Sequence, residues 1–364
     1  MDNFQKIKIS GIEYNIIDSI QNLRAEDSFI FRQNKLSLYK GNGEARKYVG
    51  SYLGKNGQRL IDFFDYTEWG NTKKDDKRIY PIIQKNCFFS KNNLKQYIFD
   101  AKIEYQKQEQ VYHNDISSDY EKHLEKINLL EKDMIQFSIY DVSDFKDDPK
   151  QSRAYIRSDE QIWDIWRKLI LPKISYLSIL KLMPTDTSNN KIIFYFRVFI
   201  DYQFRSIVHP KLLKEVIKDT PNNTKKILLK PKSRDGAQKY RRQVIDHMPQ
   251  CPFTKISDER LLIASHIKPY SICINEENQK EANDYLNGLA LSPTYDKLFD
   301  QGYITFMNDG KLICGTQLTP YTWEKLNINP NAKNTMRIYP EDREKYLEYH
   351  RNNVFQDDIN DLVI

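Results

Sequence analysis

Apolar positions recur at helical spacing at Tyr120, Leu124, Ile127, Leu130 and Met134, and Ser118 stands three residues before Glu121 in a capping-box pattern. This spacing predicts a helix near 119–136. Its other face (Glu121, Lys122, Glu125, Lys126, Glu131, Lys132) is charged and reads as solvated, with a dimerisation helix as the alternative. A second amphipathic run follows. Ser158 and Gln161 precede Ile162, Trp163, Ile165, Trp166, Leu169 and Ile170, and Pro172 interrupts the pattern, which predicts a strongly apolar core helix. Lys191 to Ile200 is β-branched and aromatic and too short for a comfortable helix, so it reads as a buried strand.

The first hundred residues alternate short apolar runs, such as Phe29-Ile30-Phe31 and Leu60-Ile61-Asp62-Phe63-Phe64, with glycine turns at Gly41-Asn42-Gly43 and Gly54-Lys55-Asn56-Gly57. Strands joined by loops follow from that punctuation, within a mixed α/β region.

Toward the C-terminus the elements are shorter. Leu261 to Ile267 reads as a strand that delivers His266 near its end, with Lys268-Pro269 stopping it. Asn287-Gly288 is a strong turn dipeptide. Ser292 as N-cap and Pro293 in the first turn predict a helix over 294–301, which Gly302 closes. Tyr303 to Phe306, the turn Asn308-Asp309-Gly310 and Lys311 to Cys314 then form a hairpin.

Composition narrows the class. The chain has 364 residues, 40% hydrophobic and 29% charged, which fits a globular protein of two or three domains rather than a disordered one. Lysine and arginine number 56 against 50 acids, so net charge alone does not argue a polyanionic partner. The distribution says more. Between residues 225 and 242 lie eight positive charges (Lys225, Lys226, Lys230, Lys232, Arg234, Lys239, Arg241, Arg242) and one acid, Asp235. Such a run is a solvated face or a phosphate-binding one, and its place just before the histidine and aspartates favours the second. The four cysteines contain no CxxC pair, so neither a structural zinc nor a disulfide framework is expected. With no signal-like N-terminus and no run near ~18 apolar residues, a soluble cytoplasmic protein is expected.

The chemistry concentrates between Cys251 and Leu312. Asp296 and Asp300 form an i,i+4 pair on one helical face, placed to ligate one hard cation, although as bare like charges they repel. His266 has the ordinary pKa range of a base working near neutrality. Asn287, through its amide or the loop it braces, is the candidate for orienting that base. A base, a cation site and an orienting group are what phosphodiester hydrolysis needs. Singly, each has a plainer reading: a core histidine, surface aspartates, a turn.

The motifs CPFT, ASHIKPY, NGLAL and DKLFDQGYI resemble those of HNH endonucleases of the ββα-metal class, and Asp235 to Arg241 resembles a lead-in of bacterial restriction enzymes of this type. The resemblance covers about 80 residues. It implies His266 as general base, Asn287 as the middle asparagine, and Asp296 and Asp300 as metal ligands. Asp296 stands where many members have a final histidine, which favours Mg²⁺ or Mn²⁺ over Zn²⁺. Ser265 stands where other branches place a ligand, which implies more water on the metal.

The expected architecture is therefore α+β: a mixed α/β region at 1–220 (subdivided near 110), an HNH nuclease domain at 221–330, and a C-terminal extension at 331–364. The expected function is a type II restriction endonuclease that cuts double-stranded DNA as a homodimer, with target recognition in the first region and a DNA methyltransferase as genetic partner. Lys232, Arg234, Lys239, Arg241, Arg242 and Lys268 are the expected phosphate contacts. Arg32, Lys35, Arg46, Lys73, Lys74 and Arg78 are basic positions upstream for which solvation is the simpler role. Alternatives are an enzyme that cuts only modified DNA, reading the base by flipping it into an aromatic pocket, and an inactive DNA-binding protein.

Overall fold

The computed structural model describes residues 5–25, 46–50, 63–64, 72–74, 77–79, 83–107, 117–141, 154–158, 160–171, 175–186, 191–200, 236–332, 336 and 342–363. The chain divides into two compact units, residues 2–206 and 207–364, and its class is α+β.

Among the described residues the first unit carries ten strands: β1 (Lys6–Ile9), β2 (Ile12–Arg24), β3 (Arg46–Gly50), β4 (Thr72–Lys74), β5 (Lys77–Ile79), β6 (Ile83–Ser90), β7 (Met134–Asp141), β8 (Ala154–Arg157), β9 (Ser175–Pro184) and β10 (Ile193–Ile200). Eight of them form one sheet in the order β1-β2-β9-β10-β6-β7-β8-β3, and β4 with β5 forms a separate ribbon. Among the described residues only the β10–β6 pairing is parallel; the other pairings of the sheet are antiparallel. Helices α1 (Lys91–Lys107), α2 (Ser117–Asn128) and α3 (Gln161–Leu169) contribute to a core with the sheet. Alternate residues of β10 (Phe194, Phe196, Val198, Ile200) supply one side of that core, as a period of two requires.

Trp163 and Trp166 of α3 are buried there, with ring centroids 4.8 Å apart, so the strongly apolar helix is a core element as its pattern predicts. Its N-cap is Glu160, and Ser158 instead accepts a hydrogen bond from the Glu160 amide at 3.2 Å.

The helix expected near 119–136 is shorter. It stops at Asn128, and residues from Met134 onward are strand β7. Leu130 packs half-buried against the core from beyond the helix end, so the apolar spacing past Ile127 is not helical burial. In β7 Phe137 and Ile139 are buried at a period of two. The helix end is held from a distance: Lys91 Nζ donates to the carbonyls of Asn128 and Leu130, at 3.1 and 2.6 Å.

Phe29–Phe31, Leu60–Asp62, Arg32, Lys35, Lys232, Arg234 and the basic residues at 225–230 lie outside the described residues. Arg46, Lys73, Lys74 and Arg78 lie on β3, β4 and β5.

In the second unit the described elements are α4 (Ala237–His247), β11 (Ile263–His266), α5 (Tyr270–Asn275), α6 (Gln279–Ala282), β12 (Gly288–Leu291), α7 (Pro293–Asp300), β13 (Ile304–Phe306), β14 (Leu312–Cys314), α8 (Pro320–Lys325) and α9 (Glu344–Asn353). A separate core joins them. It includes Tyr240 and Val244 of α4, Leu289 to Leu291 of β12, Phe299 of α7, and Tyr346 and Leu347 of α9, so residues after 331 belong to this unit's core. No helix among the described residues is long and apolar enough to cross a membrane.

Candidate active site

Two antiparallel strands and a helix build the site. β11 pairs with β12 so that His266 stands opposite Gly288 and Ser265 opposite Leu289. One residue past β12, Ser292 is the N-cap of α7 with Pro293 in the first turn. Its hydroxyl makes no cap bond, because it faces the Cys251 sulfur at 3.7 Å. Phe253 of the same CPFT turn stacks on Tyr295 of α7, centroids 4.7 Å apart. These contacts seat the start of α7. Its end is fixed by Gly302 at φ +68°, whose amide bonds to Phe299 O while that of Tyr303 bonds to Leu298 O, a Schellman closure. A Cβ on Gly302 would lie 2.1 Å from the Val354 carbonyl oxygen, so the stop is also a packing requirement.

The hairpin touches the helix chemically: the Ser265 hydroxyl donates to Asp296 Oδ1. That bond holds one carboxylate oxygen of Asp296 and leaves the other available. Asp300, a turn further along, is exposed, yet the protein packed around it raises its carboxyl above the ordinary range. The negative charge of Asp296 adds to that shift and Lys297 opposes it. The two carboxylates therefore sense one another, as an i,i+4 pair should. Among the described residues no group of three or more His, Cys, Asp or Glu side chains gathers into a metal cluster.

His266 is half-buried. Its Nε2 lies 3.0 Å from the Ala282 carbonyl oxygen. A carbonyl can only accept, so Nε2 carries the proton and the neutral ring keeps its lone pair on Nδ1. Tyr240 stacks on the imidazole at 4.2 Å and 17°, and Tyr270 meets it edge-on at 5.6 Å. Sequence reading gave neither the Ala282 carbonyl nor Tyr240 a role. The first is a main-chain atom and leaves no sequence signal. The second sits inside the DGAQKYR lead-in, where its place in the motif was the available clue.

Asn287 is grouped with His266 as catalytic from sequence, but its side chain faces the protein. It is fully buried. Its Nδ2 donates to the carbonyls of Lys268 (3.0 Å) and Glu281 (3.1 Å), and its Oδ1 accepts from the Lys268 amide at 2.7 Å. These bonds tie the chain just after His266 to the residue just before Ala282. Asn287 braces the loop that presents the carbonyl on His266, and its amide is spent within the protein, on those main-chain groups and on the Cys273 sulfur at 3.7 Å.

The Asn-Gly pair is not a turn. Asn287 ends a short 3₁₀ segment, and Gly288 begins β12 at φ −139° and ψ 148°. Glycine is required there for space: a Cβ would fall 2.5 Å from Val244 Cγ2 and 2.6 Å from the Tyr240 hydroxyl.

Lys268, expected to contact phosphate, is otherwise engaged. Its buried ammonium pairs with Glu276 at 2.5 Å and Glu281 at 2.8 Å, and lies 5.1 Å from the Tyr349 ring centroid. Burial lowers the ammonium's proton affinity, but the two glutamates outweigh that and hold it above its ordinary value. Desolvation likewise pushes Glu281 up, and Lys268 with Lys345 outweighs it, so that carboxyl sits below the usual range. Arg241 donates to the carbonyls of Glu259 and Leu262. Lys239 and Arg242 of α4 are exposed.

A search of curated proteins finds no match to the chain. Residues 251–307 match the family model described as HNH endonuclease, and on the geometry above this supports a nuclease domain, a hydrolase with DNA as its substrate and a divalent metal of the kind such nucleases generally use.

Proposed function

We propose that the chain is a metal-dependent endonuclease hydrolysing phosphodiester bonds in double-stranded DNA, as a type II restriction enzyme does. In this reading the second unit cuts and the first chooses the target. The observation that carries it is that adjacent residues of β11 serve both parts of the site: His266 is fixed in one tautomer by Ala282, and Ser265 bonds Asp296 at the start of the two-carboxylate helix α7.

The donor set suits a hard divalent cation. Asp296 and Asp300 are oxygen donors; desolvation by the packed protein and then the charge of Asp296 raise the Asp300 carboxyl, and a dication would offset both. Those two residues would hold Mg²⁺ or Mn²⁺, which would stabilise negative charge on the phosphoryl oxygens and leaving group. His266 accepts a proton from water at Nδ1 while its Nε2–H stays on Ala282. Asn287 keeps that carbonyl in place and acts as a positioning residue. Lys239 and Arg242, with Lys232 and Arg234, are the proposed phosphate contacts; Arg241 reaches phosphate only with donors left over from Glu259 and Leu262, and Lys268 serves the fold. One site per chain calls for two chains to cut both strands, so a homodimer on a near-palindromic target, with a methyltransferase encoded nearby, completes the proposal.

Digestion of defined plasmid DNA with Mg²⁺, with and without chelator, tests this, and sequencing the ends gives site and stagger. Chelator-sensitive double-strand cuts at one site, absent in His266→Ala, are expected. Chelator-resistant cutting, or a wild-type rate in His266→Ala, refutes the mechanism. Cutting confined to DNA from a methylating host refutes the restriction role and favours a modification-dependent enzyme.

A further inference from the structure

We infer that Tyr240 is a positioning residue for His266, holding the imidazole in one plane from a helix that lies outside residues 251–307. The inference rests on His266 being the base of a DNA-cleaving site.

Three contacts of one side chain carry it. The Tyr240 ring lies nearly flat on the imidazole, centroids 4.2 Å apart and 17° from parallel. Its hydroxyl donates to the Asn287 carbonyl at 3.0 Å. That same hydroxyl occupies the space where a Cβ on residue 288 would sit, 2.6 Å away, and Gly288 is the ladder partner of His266. Tyr240 thus touches the base and the backbone step opposite it.

A second residue from outside the matched segment grips the adjacent carbonyl. Arg343, buried just before α9, donates through Nε to Gly288 O at 3.2 Å. The carbonyls of Asn287 and Gly288 are therefore held by α4 and by the approach to α9. Both flanks converge on the strand residue that faces His266.

The physical need is specific. The hydrogen bond from Nε2 to Ala282 fixes the tautomer, but a bond at that atom does not by itself fix the plane of the ring and hence the position of Nδ1. A flat aromatic against one face, with the Tyr270 edge at 71° against the ring, removes that freedom. A misplacement of about 1 Å at a reacting atom costs roughly 100-fold in rate.

The test is steady-state cleavage by the full chain, with kcat and KM resolved, for wild type, Tyr240→Phe, Tyr240→Leu and His266→Ala. Tyr240→Leu is expected to lower kcat by about 30–100-fold with KM within about twofold. Tyr240→Phe keeps the stack, and kcat should stay within about threefold of wild type. Histidine side-chain NMR should show the Nε2–H form of His266 in wild type and Tyr240→Phe, with ring-current shifts lost in Tyr240→Leu. Where the leucine variant does not fold, Tyr240→Met takes its place, filling the volume without a flat ring. A folded leucine or methionine variant with wild-type kcat and unchanged His266 shifts overturns the inference, and so does a Tyr240→Phe as slow as Tyr240→Leu. If His266→Ala cuts at the wild-type rate, the base itself is lost; if His266→Ala is dead and Tyr240→Leu is unchanged, only the role of Tyr240 falls.

Discussion

Acid should loosen the second unit through His350, and the size of the effect follows from its surroundings. The ring is 1% exposed on α9 and stacks on Phe299 at 3.8 Å, within 1° of parallel. Its Nε2 donates to Phe299 O at 3.1 Å and its Nδ1 accepts from the Thr305 hydroxyl at 2.9 Å, so both nitrogens are satisfied in the neutral form. Burial depresses its pKa to about 3, the Phe299 carbonyl favours the charged form, and Arg351 opposes it. In the unfolded chain the same ring titrates near 6.5. The neutral ring's contribution is therefore intact above pH ~6.5 and is lost progressively as pH falls from there toward 3, because only the unfolded state takes up the proton readily. By pH 5 the loss is about 2 kcal/mol. That corresponds to a melting shift of roughly 4–8 °C for a unit of this size. Thermal or urea unfolding at pH 8, 7, 6 and 5 measures it, with His350→Gln as the comparison, since glutamine donates and accepts without titrating. The wild type should lose about 2 kcal/mol more than His350→Gln between pH 8 and pH 5. Parallel curves would refute the assignment of a buried neutral histidine.

Three other outcomes follow from the same geometry. Asn287→Ala should cost about 3–5 kcal/mol in urea unfolding, because the Lys268 amide and the carbonyls of Lys268 and Glu281 lose buried partners; a loss below about 1 kcal/mol would contradict that accounting. Gly288→Ala should cost about 2–3 kcal/mol through overpacking against Val244 and Tyr240, and less in a Tyr240→Phe background where the hydroxyl is gone; a double-mutant cycle with no coupling would exclude the clash. Asp296→Asn should bring the Asp300 carboxyl back toward its ordinary value, seen by carbon-detected NMR titration, and weaken Mn²⁺ binding by at least about tenfold in calorimetry; unchanged Mn²⁺ affinity would remove Asp296 from the metal site.

Features encoded by local rules were legible in the sequence. Ser292-Pro293 marks where α7 starts, Gly302 marks where it stops, and the i,i+4 spacing puts Asp296 and Asp300 on one face. The aromatic strand at 193–200 and the tryptophan helix were also plain, since their periods match their burial. What escaped reading depends on distant partners. Asn287-Gly288 has turn chemistry, but the glycine answers to α4 lying on the strand, some 45 residues upstream. The spacing of Leu130 and Met134 continues a helical rhythm that Lys91 ends from 37 residues away. Lys268 looked like a free cation because Glu276 and Glu281 approach it only after α5 and α6 fold back. A main-chain oxygen, that of Ala282, has no letter of its own.

Arg343, Lys345, Tyr346 and His350 reach back to Gly288, Glu281, Asp284 and Phe299, while Tyr240 reaches forward to Asn287. For anyone grafting this module onto another scaffold, those bonds set which residues must travel together. A fragment cut at 251 and 307 would keep CPFT, ASHIKPY, NGLAL and DKLFDQGYI but would strip away the core residues that α4 and α9 contribute beside Phe299 and Leu289. The transplantable piece must therefore include at least Tyr240 to His350.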